Sequence, residues 1–234
     1  MAEENKPNLV VFDLDGTLTP QSSVWEHIHK ALGTWDGRGE THLNDWLAGK
    51  IEYAEFARVD ALEWKGTPVG EIRRVVAEIS VLPGAKEGVD FLKARGDTVA
   101  IVSSGLDVLA GRVADELGVE KHYANKLKID KDGLVTGEVK IMVPAERPGE
   151  HLPNGKGKIL RDIQDATSID LDETIAVGDS DSDIPMFLRA GTSYTVNQAT
   201  DGARAAANFH AENLGRLMEL LETPPEIKSN LFDF

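Results

Sequence analysis

One stretch near the start of the chain decides the expected fold: Val10-Val11-Phe12-Asp13-Leu14-Asp15-Gly16-Thr17-Leu18-Thr19. The apolar run Leu9–Phe12 predicts a strand buried on both faces, and it delivers two carboxylates into a turn at its carboxyl end. Open α/β sheets bind ligands at that end of their strands. Because the turn curls the backbone, both acids can face one small volume, as nucleophile and proton donor, if a cation offsets their repulsion. Taken alone, the stretch also fits an ordinary Asp-rich turn.

Three later stretches follow in a fixed order. A predicted strand at 98–102 runs into Ser103-Ser104-Gly105, Asn154-Gly155-Lys156-Gly157 opens a helix, and a predicted strand at 174–177 runs into Gly178-Asp179-Ser180-Asp181-Ser182-Asp183. With the first stretch, this ordered set resembles the haloacid dehalogenase superfamily of phosphohydrolases. The resemblance covers nearly the whole chain, and residues 123–127 and 132–139 look like the insert of the phosphoserine phosphatase branch.

The resemblance implies an α/β protein with a Rossmann-like, three-layer core around a parallel sheet, a helical cap after the first strand, and a small β-hairpin flap. The core is expected at residues 1–20 and 82–234, and the cap at 21–81. Apolar residues recur at helical spacing in the cap stretch, for example Phe56, Val59 and Leu62, which predicts helices there. Asp132-Gly133 is a strong turn signal, and it stands between two segments in which apolar and polar residues alternate, which predicts the hairpin.

Aromatic residues concentrate in the expected cap. All four tryptophans fall within it, at Trp25, Trp35, Trp46 and Trp64. We interpret most of them as the core of a small helical unit, which needs large side chains because it has few residues. The alternative is that one or two of them face the active site and exclude water. His27, His29 and His42 have no partners at metal-ligand spacing, and we interpret them as surface or core residues.

Composition excludes several classes of protein. The 234 residues are 41% hydrophobic and 28% charged, as in ordinary soluble globular proteins. A net charge of -15 without a basic stripe argues against a nucleic-acid partner, and the lack of cysteine excludes disulfides and thiolate catalysis. No apolar run approaches the ~18 residues of a membrane span, and the acidic start is unlike a signal peptide. We therefore expect a cytoplasmic protein without a membrane partner, either monomer or homodimer.

The resemblance also implies roles for individual residues. Asp13 would attack phosphorus to give an aspartyl-phosphate, and Asp15 would protonate the leaving oxygen and then activate water. Mg²⁺ would be held by the Asp13 carboxylate, the Asp15 backbone carbonyl and Asp179, with Asp183 orienting this set or joining it. The expected phosphate-binding groups are Ser103, an amide near Ser104 and Gly105, and Lys156. Asp181 is interpreted as a cap of the helix that follows.

Two competing motif assignments fail. Lys156 does not belong to a P-loop, since no glycine stands at the required distance before it and no Ser or Thr follows it. The acidic stretch that ends at Asp183 lacks the following glycine and the closing glutamate of a calcium loop. Ser103 has no attached base and is not part of a nucleophile elbow, so it is assigned to binding.

Substrate choice rests on two cap residues. The segment 49–58 resembles the one whose arginine meets the substrate carboxylate, which would make Arg58 that residue. Where the branch carries a glutamate for the serine ammonium, this chain has Ser22, and Glu26, about one helical turn beyond, is the alternative. The branch's Ser-Gly-Gly is replaced by Ser103-Ser104-Gly105.

The sequence therefore predicts an Mg²⁺-dependent phosphatase for a small phosphomonoester, with phosphoserine as one substrate among several. Two alternatives remain open. A phosphotransferase or mutase would share the aspartyl-phosphate and pass it to an alcohol. A receiver-like phosphoacceptor would be phosphorylated as a signal without turnover.

Overall fold

The computed structural model describes residues 8–147, 149–150, 152 and 154–225. Its strands are β1 (Leu9–Phe12), β2 (Thr98–Leu106), β3 (Lys121–Ile129), β4 (Val135–Lys140), β5 (Thr174–Gly178), β6 (Thr192–Val196) and β7 (Phe209–Ala211). They form one seven-stranded sheet in the order β4-β3-β2-β1-β5-β6-β7. Every neighbouring pair is parallel except β3 with β4. This confirms the predicted α/β class.

Helices cover both faces of the sheet. They are α1 (Val24–Ala31), α2 (Glu40–Leu47), α3 (Tyr53–Glu63), α4 (Val69–Ala77), α5 (Ala85–Ala94), α6 (Asp107–Leu117), α7 (Lys156–Thr167), α8 (Ile184–Phe187), α9 (Asp201–Ala206) and α10 (Leu214–Glu222). Side chains alternate along β1, so Val10 and Phe12 pack with α5, α6 and α10, whereas Leu9 and Val11 pack with α7, α8 and α9. The core thus has the three predicted layers. Among the described residues, no helix has the length and apolarity needed to cross a bilayer.

The stretch between β1 and α5 is helical, as predicted, but the buried face of α3 differs from the predicted one. Its buried residues are Tyr53, Phe56, Ala57, Asp60 and Ala61. Leu62 is 46% exposed, and Val59 is only half-buried. The buried positions recur three and four residues apart and continue to Trp64, which is fully buried. Packing of the aromatic side chains therefore sets the orientation of α3.

The cap contains a buried carboxylate that its sequence did not reveal. Asp60 is 1% exposed, and its two oxygens lie 3.3 Å from His29 Nε2 and 2.7 Å from His42 Nδ1. Trp64 Nε1 donates to His29 Nδ1 at 3.3 Å, so Nδ1 is an acceptor and Nε2 is the ring nitrogen that faces Asp60. Asp60 consequently joins α3 to α1 and α2.

The predicted hairpin is present, and it is continuous with the main sheet. The first half of β3 pairs with β2, and its second half pairs with β4. The hairpin also contacts the cap, since Val69 N donates to Gly133 O at 2.9 Å and Gly66 N donates to Val135 O at 2.8 Å. The hairpin therefore connects cap and sheet through backbone hydrogen bonds. The division into a core of 1–20 and 82–234 and a cap of 21–81 remains our proposal; residues 1–7 and 226–234 lie outside the described part.

Asn125 ties the hairpin to the end of β2. Its side chain is fully buried, and its Nδ2 donates to Ser104 O at 2.8 Å, to Val143 O at 2.9 Å and to the Tyr53 hydroxyl at 3.0 Å. Its Oδ1 accepts from Met142 N at 2.8 Å and from Val143 N at 3.0 Å. One amide side chain thus bonds to groups from three other segments of the chain, at Tyr53, Ser104 and residues 142–143.

We expect Asn125→Ala to lower the free energy of unfolding by at least about 2 kcal/mol, because it leaves several buried donors and acceptors without partners. Urea denaturation followed by circular dichroism measures the change. Asn44→Ala is the matched control, since Asn44 is exposed on α2. Equal stability of the two variants would contradict the role given to Asn125.

Candidate active site

The predicted site residues converge at the carboxyl edge of the sheet. Asp13 and Asp15 follow β1, Asp179 follows β5, and Lys156 begins α7. These residues line a cavity of about 510 Å³, together with Ser103, Ser104 and Gly105. The three residues of the serine motif lie inside β2 rather than beyond its end, in a segment where the register between β2 and β3 shifts. Such a bulge re-aims side chains toward a site.

A buried ion pair lies at the base of the cavity. Lys156 is 2% exposed, and its Nζ donates to Asp13 Oδ1 at 2.7 Å and to Asp183 Oδ1 at 2.6 Å. Burial alone would lower the pKa of Lys156, but the charges of Asp13 and Asp183 and their hydrogen bonds raise it above its ordinary value. The ammonium is therefore charged at neutral pH.

The neighbouring carboxyls are crowded. Burial, and then the charge of Asp183, raise the pKa of Asp13 to about 7. Burial, and then Asp13, raise the pKa of Asp15 to about 8 and that of Asp179 to about 8. Single carboxylate oxygens of Asp13, Asp179 and Asp183 lie within 4.8 Å of one another. A hard divalent cation suits such a set, because it is bound by oxygen and would lower these pKa values.

The turn after β5 positions its acids differently. Asp183 Oδ2 accepts from the backbone N of Asp179 and of Ser180, both at 3.0 Å, and its Oδ1 accepts from Lys156. Both oxygens of Asp183 therefore already have donors. Asp179 Oδ1 accepts a hydrogen bond from the Thr17 hydroxyl at 2.8 Å, and Asp179 lines the cavity. Gly16, with φ +81°, comes so close that a Cβ there would lie 2.3 Å from Asp179 Oδ2.

Asp181 is a helix cap, as predicted, but of another helix. Its Oδ1 accepts from Ala203 N at 3.1 Å and from the Thr200 hydroxyl at 2.5 Å, at the start of α9. Asp181 is itself the first residue of the short turn Asp181–Asp183 before α8, and that turn is capped by Ser180 and Asp183, which form a reciprocal capping box. Only two residues separate Asp181 from α8, so the sequence alone favoured the nearer helix.

The serine motif is tied to both the core and the cap. Ser103 is 1% exposed, and its Oγ accepts from Gly105 N at 2.9 Å. The carbonyl oxygen of Ser104 accepts from Trp25 Nε1 at 3.3 Å, from Asn125 Nδ2 at 2.8 Å and from the Tyr53 hydroxyl. A side chain at position 105 would collide with Asp15, since its Cβ would lie 2.6 Å from Asp15 Oδ2. Gly105 thus permits the close approach of Asp15.

The structure brings Ser22 to the cavity but not Arg58. Ser22 and Glu26 both line the cavity. The side chain of Arg58 is 54% exposed and pairs with Glu55 at 2.7 Å on the outer side of α3. Arg58 stands two positions after the buried Phe56, a separation that places it away from the buried face of a helix. The spacing of Tyr53, Phe56, Ala57 and Asp60 was the signal that could have excluded Arg58.

Sequence reasoning missed several cavity residues, of which Arg147 makes extensive hydrogen bonds. Arg147 lines the cavity from the loop between β4 and α7. Its Nη1 donates to Trp46 O at 3.1 Å and to Ile51 O at 3.3 Å, and its Nη2 to Glu52 Oε2 at 3.3 Å and Glu150 Oε1 at 2.9 Å. Arg147 therefore fastens this core loop to the junction of α2 and α3. No pattern around it distinguishes it from an ordinary loop arginine.

Comparisons with known proteins agree with this geometry. The family model of haloacid dehalogenase-like hydrolases matches residues 10–188. A phosphoserine phosphatase of Methanocaldococcus jannaschii is 34% identical over 188 residues, which cover 80% of this chain and 84% of that protein. Another, of Archaeoglobus fulgidus, is 30% identical and aligns with 95% of this chain, which spans 62% of that relative.

Solved structures show the same similarity. A phosphoserine phosphatase with bound substrate has a TM-score of 0.77 at 30% identity, covering 93% of this chain and 98% of that one. A phospho-aspartyl intermediate analogue of phosphoserine phosphatase has a TM-score of 0.75 at 30% identity, covering 93% and 99%. The chain therefore belongs to the haloacid dehalogenase-like hydrolases, within which it is a phosphoric monoester hydrolase of the phosphoserine phosphatase-like branch.

Proposed function

We propose that Asp13 is the nucleophile of an Mg²⁺-dependent hydrolysis of a small phosphomonoester. The observation that carries this proposal is the buried contact between Asp13 and Lys156 at 2.7 Å, inside a cavity that Asp15 and Asp179 also line. Lys156 favours the ionised form of Asp13 and fixes one of its oxygens, while the other oxygen is available to attack phosphorus. The product of attack is an aspartyl-phosphate on Asp13, as in the intermediate analogue of the related phosphatase.

Asp15 is the general acid and base in this proposal. Without a metal, burial and then the charge of Asp13 raise the pKa of Asp15 to about 8, which favours the protonated form that a proton donor to the leaving oxygen needs. The resulting carboxylate then takes a proton from the water that hydrolyses the aspartyl-phosphate. The negative charge of Asp13 helps to raise the pKa of Asp15. In the aspartyl-phosphate the carboxylate of Asp13 no longer carries that charge, because one of its oxygens is bonded to phosphorus. Burial remains as the principal cause of the raised pKa.

Mg²⁺ would be held by the Asp13 carboxylate, the Asp15 backbone carbonyl and Asp179. When bound, it supplies positive charge to the phosphoryl oxygens and to the crowded carboxylates. Asp183 orients the set from behind, an assignment supported by the donors that already occupy both of its oxygens. Ser103, backbone amides of residues 104–105 and Lys156 bind the phosphoryl group. Gly105 N already donates to Ser103 Oγ, which can still donate its own hydrogen to a phosphoryl oxygen; only a bond from Gly105 N to the phosphoryl group would require this internal hydrogen bond to be exchanged.

Phosphoserine is one substrate among several in our proposal. The relatives named above are phosphoserine phosphatases, which supports water rather than an alcohol as the phosphoryl acceptor. Neither the phosphotransferase nor the receiver-like alternative is favoured. A carboxylate-reading role for Arg58 would require it to leave Glu55 and rotate inward, so we no longer assign it. A cytoplasmic location and a monomeric or homodimeric state stay predictions from the sequence.

Asp13→Asn should lower kcat for any hydrolysed phosphomonoester by at least about a thousandfold, because the amide cannot attack phosphorus. The change is nearly isosteric, so the circular dichroism spectrum should match that of the wild type. Release of inorganic phosphate is the measurement. Activity near the wild-type level in a folded Asp13→Asn protein would exclude Asp13 as the nucleophile.

EDTA should abolish activity, and added Mg²⁺ should restore it. Asp179→Ala should raise the Mg²⁺ concentration for half-maximal activity much more than Asp181→Ala does, because Asp181 is bound to the start of α9. Mg²⁺ titrations of the three proteins test this. Similar shifts in the two variants would show that Asp179 is not a ligand.

The metal-free protein should lose stability as pH rises from about 4 to about 8. The pKa of Asp179 is about 8 in the folded protein, against an ordinary value of 3.8 that applies to the unfolded chain, so folding favours the protonated carboxyl group. The contribution of Asp179 to the free energy of unfolding is fully present below about pH 4 and is lost as the pH rises through 8. In EDTA at pH 8, Asp179→Asn should therefore be more stable than the wild type, by on the order of 2 kcal/mol.

Urea denaturation at pH 5 and pH 8 measures this difference. The exposed Asp165 offers the control, since Asp165→Asn should leave the pH dependence unchanged. If Asp179→Asn is no more stable than the wild type at pH 8, then Asp179 is not under the electrostatic stress that its burial implies.

A further inference from the structure

Helix α2 has an apolar stripe that the protein covers only in part. Leu43, Trp46 and Leu47 stand three and four positions apart, so they lie on one side of the helix. Leu43 and Trp46 are partly buried against the hydrophobic core, whereas Leu47 is 55% exposed. All three stripe residues line the active-site cavity, so this face of α2 is directed at the site where the leaving group of a phosphomonoester would lie.

Aromatic side chains extend this stripe. The ring of Trp46 stacks on Phe56 with centroids 5.6 Å apart, and it meets Tyr53 edge-on at 5.7 Å. Phe56 and Tyr53 also line the cavity, together with Trp25. We call Leu43, Trp46, Leu47, Tyr53 and Phe56 the apolar wall. The cavity volume of about 510 Å³ falls in the range of pockets that bury drug-sized ligands.

The charged residues near the wall already have partners. Glu26 is the only charged residue that the cap, described throughout residues 21–81, contributes to the cavity lining, and Lys30 binds it at 2.5 Å. The two terminal nitrogens of Arg147 donate to two backbone carbonyls and two carboxylates. To pair its ammonium with Glu26 and its carboxylate with Arg147, a zwitterionic leaving group would have to break these existing contacts. An apolar leaving group can pack against the apolar wall without breaking any of them.

Arg147 also holds the wall in place. Its Nη1 donates to the carbonyl of Trp46, in the last turn of α2, where a cation interacts favourably with the helix dipole. Its second bond, to Ile51 O, reaches the start of the segment that leads into α3. Arg147 thereby fixes the two helices that supply the wall at the edge of the catalytic cavity.

Resting on the phosphatase function proposed above, we infer that the apolar wall selects phosphomonoesters whose leaving alcohol carries an apolar chain or ring, in preference to phosphoserine. Binding such a group removes Leu43, Trp46 and Leu47 from water. The part of the stripe that is still exposed, chiefly Leu47, is then covered, and the gain in binding free energy grows with the apolar area buried.

A homologous series of n-alkyl phosphates from methyl to hexyl tests this inference, because the leaving alcohols have similar reactivity and differ in apolar area. We expect kcat/KM to rise about two- to fourfold per methylene until the cavity is filled. The matching n-alkylphosphonates, which cannot be hydrolysed, should show the same trend in their dissociation constants by calorimetry with Mg²⁺. Phosphoserine should have a lower kcat/KM than hexyl phosphate.

Variants locate the effect. Leu47→Ser should lower kcat/KM for hexyl phosphate about three- to tenfold and flatten the dependence on chain length. Leu62→Ser is the matched control, since Leu62 is 46% exposed in the same cap and does not line the cavity. It should retain the wild-type dependence.

Two outcomes would overturn the inference: kcat/KM that does not change with chain length, or phosphoserine as a better substrate than every alkyl phosphate. A wild-type dependence in Leu47→Ser would also overturn it. Failure of the proposed function looks different, since no phosphomonoester would then be hydrolysed with Mg²⁺, although phosphonate binding would still report on the wall.

Discussion

The structure depends on one buried ammonium among several carboxylates. Lys156 contacts Asp13 and Asp183 at hydrogen-bond distance, and so it joins the end of β1, the turn after β5 and the start of α7. Breaking a buried ion pair by removing one partner typically costs about 3–5 kcal/mol, because the other charge stays buried. Gly157 lets α7 begin this close to α8, since a Cβ there would lie 2.7 Å from Pro185 O. The same cation that holds three elements together also favours the ionised form of Asp13, the proposed nucleophile, against the burial that raises its pKa.

Much of the site could be predicted from the sequence because parallel strands place their carboxyl ends on one edge of a sheet. Strand β1 has the predicted bounds, and β2 and β5 begin at the predicted residues, so Asp13, Ser103 and Asp179 meet as expected. Lys156 could be placed because it opens a helix whose start adjoins that edge. The positions of these residues depend on the order and direction of the strands, and a set of motifs at successive strand ends is enough to specify both.

The cap was harder to predict because its side chains depend on packing between short helices. The buried face of α3 differs from the predicted one, so Arg58 lies on the exposed side of the helix and Asp60 on the buried side. Arg147 acts through backbone carbonyls on two other segments, and such contacts leave no trace in local sequence. The apolar stripe of α2 has the spacing of a core helix, and only the three-dimensional arrangement shows that Leu47 at its end is left exposed at the cavity.

The carbonyl of Ser104 links the two halves of the site. It accepts from Trp25 and Tyr53 of the cap, while its neighbours Ser103 and Gly105 belong to the proposed phosphate-binding segment. Linkage requires that coupling between binding at this segment and these cap contacts be reciprocal. Any free energy that the two contacts add to the binding of a phosphoryl group would be returned by the bound group to the contacts. A phosphoryl group at this segment would therefore also stabilise the positions of Trp25 and Tyr53, on α1 and α3, relative to the sheet.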